Sequence, residues 1–99
     1  MSQNLFRLLI AYDVVDDLRR TRLAKLLESY GDRIQYSVFL IDLTAAQEVR
    51  LRKSAIAKID ISVDSIVFCR LGDAAGAAQD RLEFVGKRRP TTDDLGFVL

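Results

Sequence analysis

Apolar positions fall into short blocks whose spacing changes along the chain. Residues 5–12, Leu-Phe-Arg-Leu-Leu-Ile-Ala-Tyr, are apolar almost throughout and read as a strand buried largely on both faces. The run ends in Asp13-Val14-Val15-Asp16-Asp17, a carboxylate-rich turn in which Asp16 or Asp17 is placed to cap a helix. Over 17–30 the period becomes helical. Leu23, Leu26, Leu27 and Tyr30 share one arc, and Gly31 is expected to supply a left-handed stop. Arg19 projects from the first turn within that apolar arc, and Arg20 lies just past its edge. An inward arginine needs an anion, from the preceding acidic turn or from a bound phosphate.

Residues 33–43 alternate, with Ile34, Tyr36, Val38 and Leu40 on one side and Gln35, Ser37, Phe39, Ile41 and Leu43 on the other. Eleven residues is long for one strand, so a bulge or bend is expected within it. Thr44-Ala45-Ala46-Gln47 has the spacing of a capping box and opens a second helix over 45–58. Its expected buried stripe is Val49, Ile56 and Ile59. Arg52, between them, is read as snorkelling or pairing with an acidic neighbour. A strand over 62–71 follows, ended by Gly72-Asp73, and then a small-residue connection over 74–80. Residues 81–85 alternate as a short strand, 86–90 form a basic turn, and 95–99 an apolar tail.

Splitting 33–43 at a bend gives strand-helix-strand-strand-helix-strand, the layout of an α+β ferredoxin-like βαββαβ sandwich. Two helices cover one sheet face. The other face must be wet or paired to a second copy, and the tail is expected to extend a sheet across that junction. The 99 residues make one domain, 1–99, with 81–99 as a C-terminal extension.

Composition narrows the chemistry. There is no histidine, which removes Ser-His-Asp and Cys-His catalysis, histidine zinc sites and histidine general bases. Any reaction must run on carboxylates, on a metal held by oxygen, or on Lys, Tyr or Ser. The one cysteine, Cys69, lies in an apolar run and is expected as a small core residue. No apolar stretch approaches the ~20 residues needed to span a bilayer. With no basic-then-apolar leader pattern, no membrane association and a cytoplasmic location are expected. Net charge is +1, but residues 1–58 carry ten Lys/Arg against seven Asp/Glu and residues 59–99 five against seven. The basic front half suits phosphate, though an ordinary solvated surface has the same composition.

Asp13 ends a buried strand just before a helix, exposed yet rigidly placed. It is either a turn carboxylate or a metal ligand. One carboxylate is a poor magnesium site unless a two-fold axis brings a second copy to it. Arg19, Arg20, Arg22, Lys25 and Arg33 either grip phosphates or form a charged helix surface. Arg19 and Arg20 are the better phosphate candidates because they are displaced toward the apolar side.

Three segments then match one family in order: Tyr12-Asp13-Val14, Arg19-Arg20-Thr21-Arg22-Leu23-Ala24-Lys25-Leu26-Leu27, and Tyr30-Gly31-Asp32-Arg33-Ile34-Gln35-Tyr36-Ser37-Val38-Phe39. The chain resembles the small CRISPR-associated endonucleases, the non-integrase subunit of spacer acquisition. The resemblance implies a ferredoxin-like homodimer with two Asp13 carboxylates facing one another. It also implies Mg²⁺- or Mn²⁺-dependent phosphodiester hydrolysis of single-stranded RNA or duplex DNA. By position, Asp13 is the implied metal-binding and catalytic residue, and Arg20, Ser37 and Phe39 its implied support. The implied partners are a second copy, the integrase subunit and nucleic acid. Alternatives are a non-catalytic adaptor that bridges integrase subunits and holds duplex DNA, and a related toxin-type ribonuclease. Leu40 departs from the pattern, since many members have glutamate there.

Overall fold

The computed structural model describes residues 4–87. Along it run β1 (Phe6–Asp13), α1 (Asp17–Glu28), β2 (Asp32–Gln35), β3 (Val38–Leu43), α2 (Ala45–Ile56) and β4 (Ser65–Asp73), followed by a 3-10 turn, Ala77–Asp80. The four strands form one antiparallel sheet in the order β2-β3-β1-β4. This is the expected ferredoxin-like arrangement, with β1 at the centre.

Strand alternation sets the two faces. Leu8, Ile10 and Tyr12 of β1 point to the helices beside Phe39, Ile41 and Leu43 of β3, and all are buried. Leu23, Ala24 and Leu27 of α1, with Leu51 and Ala55 of α2, close over them, and Leu26 and Tyr30 pack at the margin. Each fully buried aliphatic side chain here contributes about 1.5–3 kcal/mol of transfer free energy. The opposite face carries Leu9, Ala11, Val38, Leu40, Val67 and Cys69, with no helix over it among the described residues.

The expected break in 33–43 falls at Tyr36-Ser37, a two-residue turn that makes β2 and β3 a hairpin. Both helix starts are as read from the sequence. The Asp16 carboxylate accepts from the Arg19 amide at 2.9 Å, and Thr44 and Gln47 complete a capping box.

Several expectations are corrected. Gly31 is not left-handed; among the described glycines only Gly72 and Gly86 have positive φ. Its role is close approach, because a Cβ there would stand 2.6 Å from the Leu40 carbonyl oxygen and 2.7 Å from Ile41 Cγ1. The inward stripe of α2 is Glu48, Leu51 and Ala55, while Val49 and Ile56 are exposed. Glu48 can turn inward because Arg52 and Arg70 both bind its carboxylate, and their guanidiniums lie over Phe68 and Phe6. Burial alone would raise the Glu48 pKa, but the two arginine hydrogen bonds outweigh it and hold it below the usual value. Cys69 is exposed, since β4 is an edge strand and its alternate side chains face the open side. Residues 81–85 form no ladder within the chain; Leu82 and Phe84 are half-buried beside Leu9, Ile34 and Val38. Most of the basic turn and all of the apolar tail lie outside the described residues.

Candidate active site

Three pieces of backbone converge where β1 ends. Asp13 stands opposite Ser65, the first residue of β4. The Tyr12 amide donates to the Ser37 carbonyl at 3.1 Å, which pins the β2–β3 turn beside it. α1 begins four residues beyond Asp13, and its Arg20 folds back so that Nε donates to the Val14 carbonyl at 3.2 Å. The result is an open cleft of about 380 Å³ lined by Tyr12, Asp13, Val14, Arg20, Tyr36 and Ser37.

The structure therefore gathers Asp13, Arg20 and Ser37 in one cleft. Asp13 is exposed, and among the described residues its carboxylate has no hydrogen-bond or ion-pair partner. Arg20 reaches Asp17 at 2.7 Å, and this bond, with the neighbouring Tyr36, favours its charged form. Phe39 does not reach the cleft surface. It is fully buried beneath Tyr12, with ring centroids 6.3 Å apart at 26°, and so supports the floor.

Arg19 is not among the residues lining the cleft, and its side chain pairs with neither Asp16 nor Asp17 of the preceding acidic turn. Its guanidinium forms a two-point pair with Asp64, Nε to Oδ2 at 2.8 Å and Nη2 to Oδ1 at 3.2 Å. Asp64 lies 45 residues away in sequence, so nothing local could reveal the pairing.

A second concavity of about 270 Å³ shares Tyr12, Arg20 and Tyr36 with the first and adds Thr21, Ala24, Lys25, Glu28 and Arg33. Arg33 lies 5.2 Å over the Phe39 ring, and its Nη2 is 3.5 Å from Glu28. Its Nε is buried without a hydrogen-bond partner. Burial raises the Tyr12 phenol pKa, partly offset by Arg33 beside it. From the sequence, Arg33 and Lys25 are either phosphate grips or part of a charged helix surface, and Tyr12 carries no sign of a role. The signal that separates Arg33 is its register opposite Phe39.

A divalent cation of the magnesium type takes about six oxygen ligands, many of them water. Among the described residues no group of three acidic, cysteine or histidine side chains is close enough to hold a metal. One chain offers Asp13 and the Ser37 hydroxyl. That donor set fits a largely hydrated hard cation, or one shared with a second copy, and does not fit a metal enclosed by one chain. No helix among the described residues is long and apolar enough to cross a membrane.

Comparison with known proteins gives a consistent result. Residues 6–77 match the family model for CRISPR associated protein Cas2. The chain is 40% identical over 91 residues to a CRISPR-associated endoribonuclease Cas2 of Thermus thermophilus, covering 92% of this chain and 95% of that one. It is 39% identical over 90 residues to CRISPR-associated endoribonuclease Cas2 3 of Chloroflexus aurantiacus, covering 91% and 94%. Among solved structures, Streptococcus pyogenes Cas2 superposes with a TM-score of 0.71 at 35% identity, over 81% of this chain and 99% of that one. The central strand ending in Asp13, the helix bearing Arg20 and the Ser37 turn all lie within the matched segment: the chain belongs to the Cas2 family of CRISPR-associated proteins.

Proposed function

We propose that this chain is a divalent-metal-dependent endonuclease of spacer acquisition that acts as a two-fold homodimer with Asp13 at its centre. The observation that carries this reading is the bonding state of Asp13. Its carboxylate is exposed, unpartnered among the described residues, and set in one cleft with a cation and a hydroxyl. Two copies would bring two such carboxylates together. The face of Ala11, Leu40, Val67 and Cys69, which no helix covers among the described residues, supports a second copy as partner.

In this reading the paired Asp13 carboxylates hold Mg²⁺ or Mn²⁺, which when bound supplies an activated water and charge stabilisation. The chain's own residues do the rest. Arg20 offers N–H donors to a phosphate oxygen, and Ser37 a hydroxyl. Arg33 and Lys25 line the neighbouring concavity along which a backbone could run. Phe39 and Tyr12 keep the floor dry and rigid. The relatives' names include endoribonuclease and endonuclease, so both single-stranded RNA and duplex DNA are to be tried.

The adaptor reading, in which the dimer bridges integrase subunits and holds duplex DNA, is favoured by the single carboxylate per chain. One experiment separates the two. Purified protein is assayed on RNA and duplex DNA across Mg²⁺ concentrations beside Asp13→Ala, and spacer acquisition is measured with both proteins. Metal-dependent cleavage lost in Asp13→Ala supports the nuclease. No cleavage, with acquisition intact in Asp13→Ala, supports the adaptor.

A further inference from the structure

Asp64, in the α2–β4 loop, is a fully bonded carboxylate. Its side chain has no exposed surface. Oδ1 accepts from the Val15 amide at 3.0 Å and from Arg19 Nη2 at 3.2 Å. Oδ2 accepts from Arg19 Nε at 2.8 Å and from the Asp60 amide at 2.9 Å. A carboxylate has about four lone-pair directions, so four donors saturate it. It has no capacity left for a metal or a substrate.

The donors decide what this does. Val15 and Arg19 bracket the turn between β1 and α1, the segment that leaves Asp13 and returns as the helix carrying Arg20. Asp64 ties both ends of that turn to one point. The next residue, Ser65, is the ladder partner of Asp13 itself. The cleft wall is therefore fixed from both sides by adjacent residues, Asp64 of the loop and Ser65 of β4. Arg20 closes the arrangement through its bond to the carbonyl of Val14, the residue between Asp13 and the tethered Val15.

We infer that Asp64, through Arg19 and the Val15 amide, is a positioning residue that sets the placement of Asp13 and Arg20 in the cleft. This rests on the reading of Asp13 as the metal-binding centre. Arg19 takes a structural role here, and the phosphate-facing cation of the pair is Arg20. Displacing a catalytic group by about an ångström can cost on the order of a hundredfold in rate, so a tether at this point controls more than stability.

Asp64→Asn keeps the shape but turns an NH₂ toward donors that need an acceptor. Arg19→Gln removes the fork while leaving Asp64 in place, and Arg19→Lys retains the charge with a single point of contact. Full-length dimer of each is compared with the parent by amide exchange, by Mn²⁺-induced broadening of the Asp13 and Val14 amide signals, and by cleavage kinetics. In Asp64→Asn, exchange at Val15 should be about tenfold faster while Ile10 in the central strand is unchanged. Broadening at Asp13 should need several-fold more Mn²⁺, and kcat should fall about tenfold with KM within about twofold. Arg19→Gln should follow the same pattern, and Arg19→Lys should recover part of each loss.

Faster Val15 exchange with metal dependence and kcat within about twofold of the parent would overturn the proposal, leaving Asp64 a purely structural tether. Unchanged Val15 exchange overturns it too. Asp13→Ala, run alongside, separates the two readings. Cleavage surviving Asp13→Ala removes the Asp13 reading and this inference with it. An inactive Asp13→Ala beside an unimpaired Asp64→Asn removes only the inference.

Discussion

Asp13 ends β1 opposite Ser65, and Asp64 is the loop residue just before Ser65; the two carboxylates have opposite bonding. Asp64 is buried and accepts four hydrogen bonds; Asp13 is exposed and accepts none among the described residues. The fold has satisfied one carboxylate and left the other available, although both sit at the same edge of the same layer. A saturated charge fixes geometry, and an unsaturated one is free for an external cation. Residue type is the same for the two. The Arg19 fork and the Val15 and Asp60 amides distinguish them.

The sharpest way to break that comparison is Asp13→Ala. An unbonded exposed carboxylate contributes little to stability, so the melting free energy should stay within about 0.5 kcal/mol. Cleavage should fall by about a hundredfold or more, about 2.7 kcal/mol of transition-state stabilisation. Thermal melts and a cleavage assay on the same preparation check both halves. A large loss of stability would show that Asp13 is engaged like Asp64.

Next is acid. The Arg19 fork beside Asp64 holds its carboxyl well below the ordinary aspartate value, and hydrogen bonds from Ser62 lower Asp60 in the same direction. A depressed folded-state pKa gives stability that is full above the unfolded value, about 3.9, and is lost as pH falls through the folded one. Denaturation midpoints should therefore drop steeply below about pH 4. Asp64→Asn should flatten that limb, though not abolish it, because Glu48 is shifted the same way by Arg70 and Arg52 against its burial. Urea titrations at several pH values, run on the parent and on Asp64→Asn, measure both.

What could be read in advance follows the same division between local and distant causes. β1, the break at Tyr36-Ser37, both N-caps and the α1 arc are local patterns, and all were legible. The inward face of α2 was not, because Val49 and Ile56 look like core while Glu48 turns inward with Leu51 and Ala55, paired with Arg52 and with Arg70 of β4. Cys69 was misplaced because an apolar run does not reveal which strand is at the edge. Gly31 looked like a helix stop, whereas its need is set by β3 backbone pressing against it. At the site, Asp13, Arg20 and Ser37 are legible together, but the sequence leaves the anion for Arg19 open between the acidic turn and a phosphate, because Asp64 is distant.

A smaller effect tests the cations. Arg33 stacks on Phe39 and is among the residues lining the second concavity. Arg33→Lys keeps the charge and loses the plane and the fork. If that concavity carries a phosphate backbone, affinity for duplex DNA should fall by about fivefold, roughly 1 kcal/mol, with a similar factor for unrelated sequences. Fluorescence anisotropy at several salt concentrations reads this. Unchanged affinity would confine the phosphate contact to Arg20.

The smallest effect is the most useful control, because it separates loss of stability from loss of position. Asp16 and Thr44 cap the two helices by the same chemistry, a side-chain oxygen accepting from an amide three residues on. Removing either cap should cost about 1 kcal/mol, and thermal melts should show nearly equal shifts. Thr44 caps α2, far in the chain from the turn that follows Asp13, whereas Asp16 lies within that turn and caps the helix bearing Arg20. Thr44→Ala should leave kcat unchanged at a temperature where both proteins are folded. Asp16→Ala should lower it several-fold at the same loss of stability. Equal kcat in the two variants would mean that the turn tolerates loosening, and that saturation at Asp64 serves the fold alone.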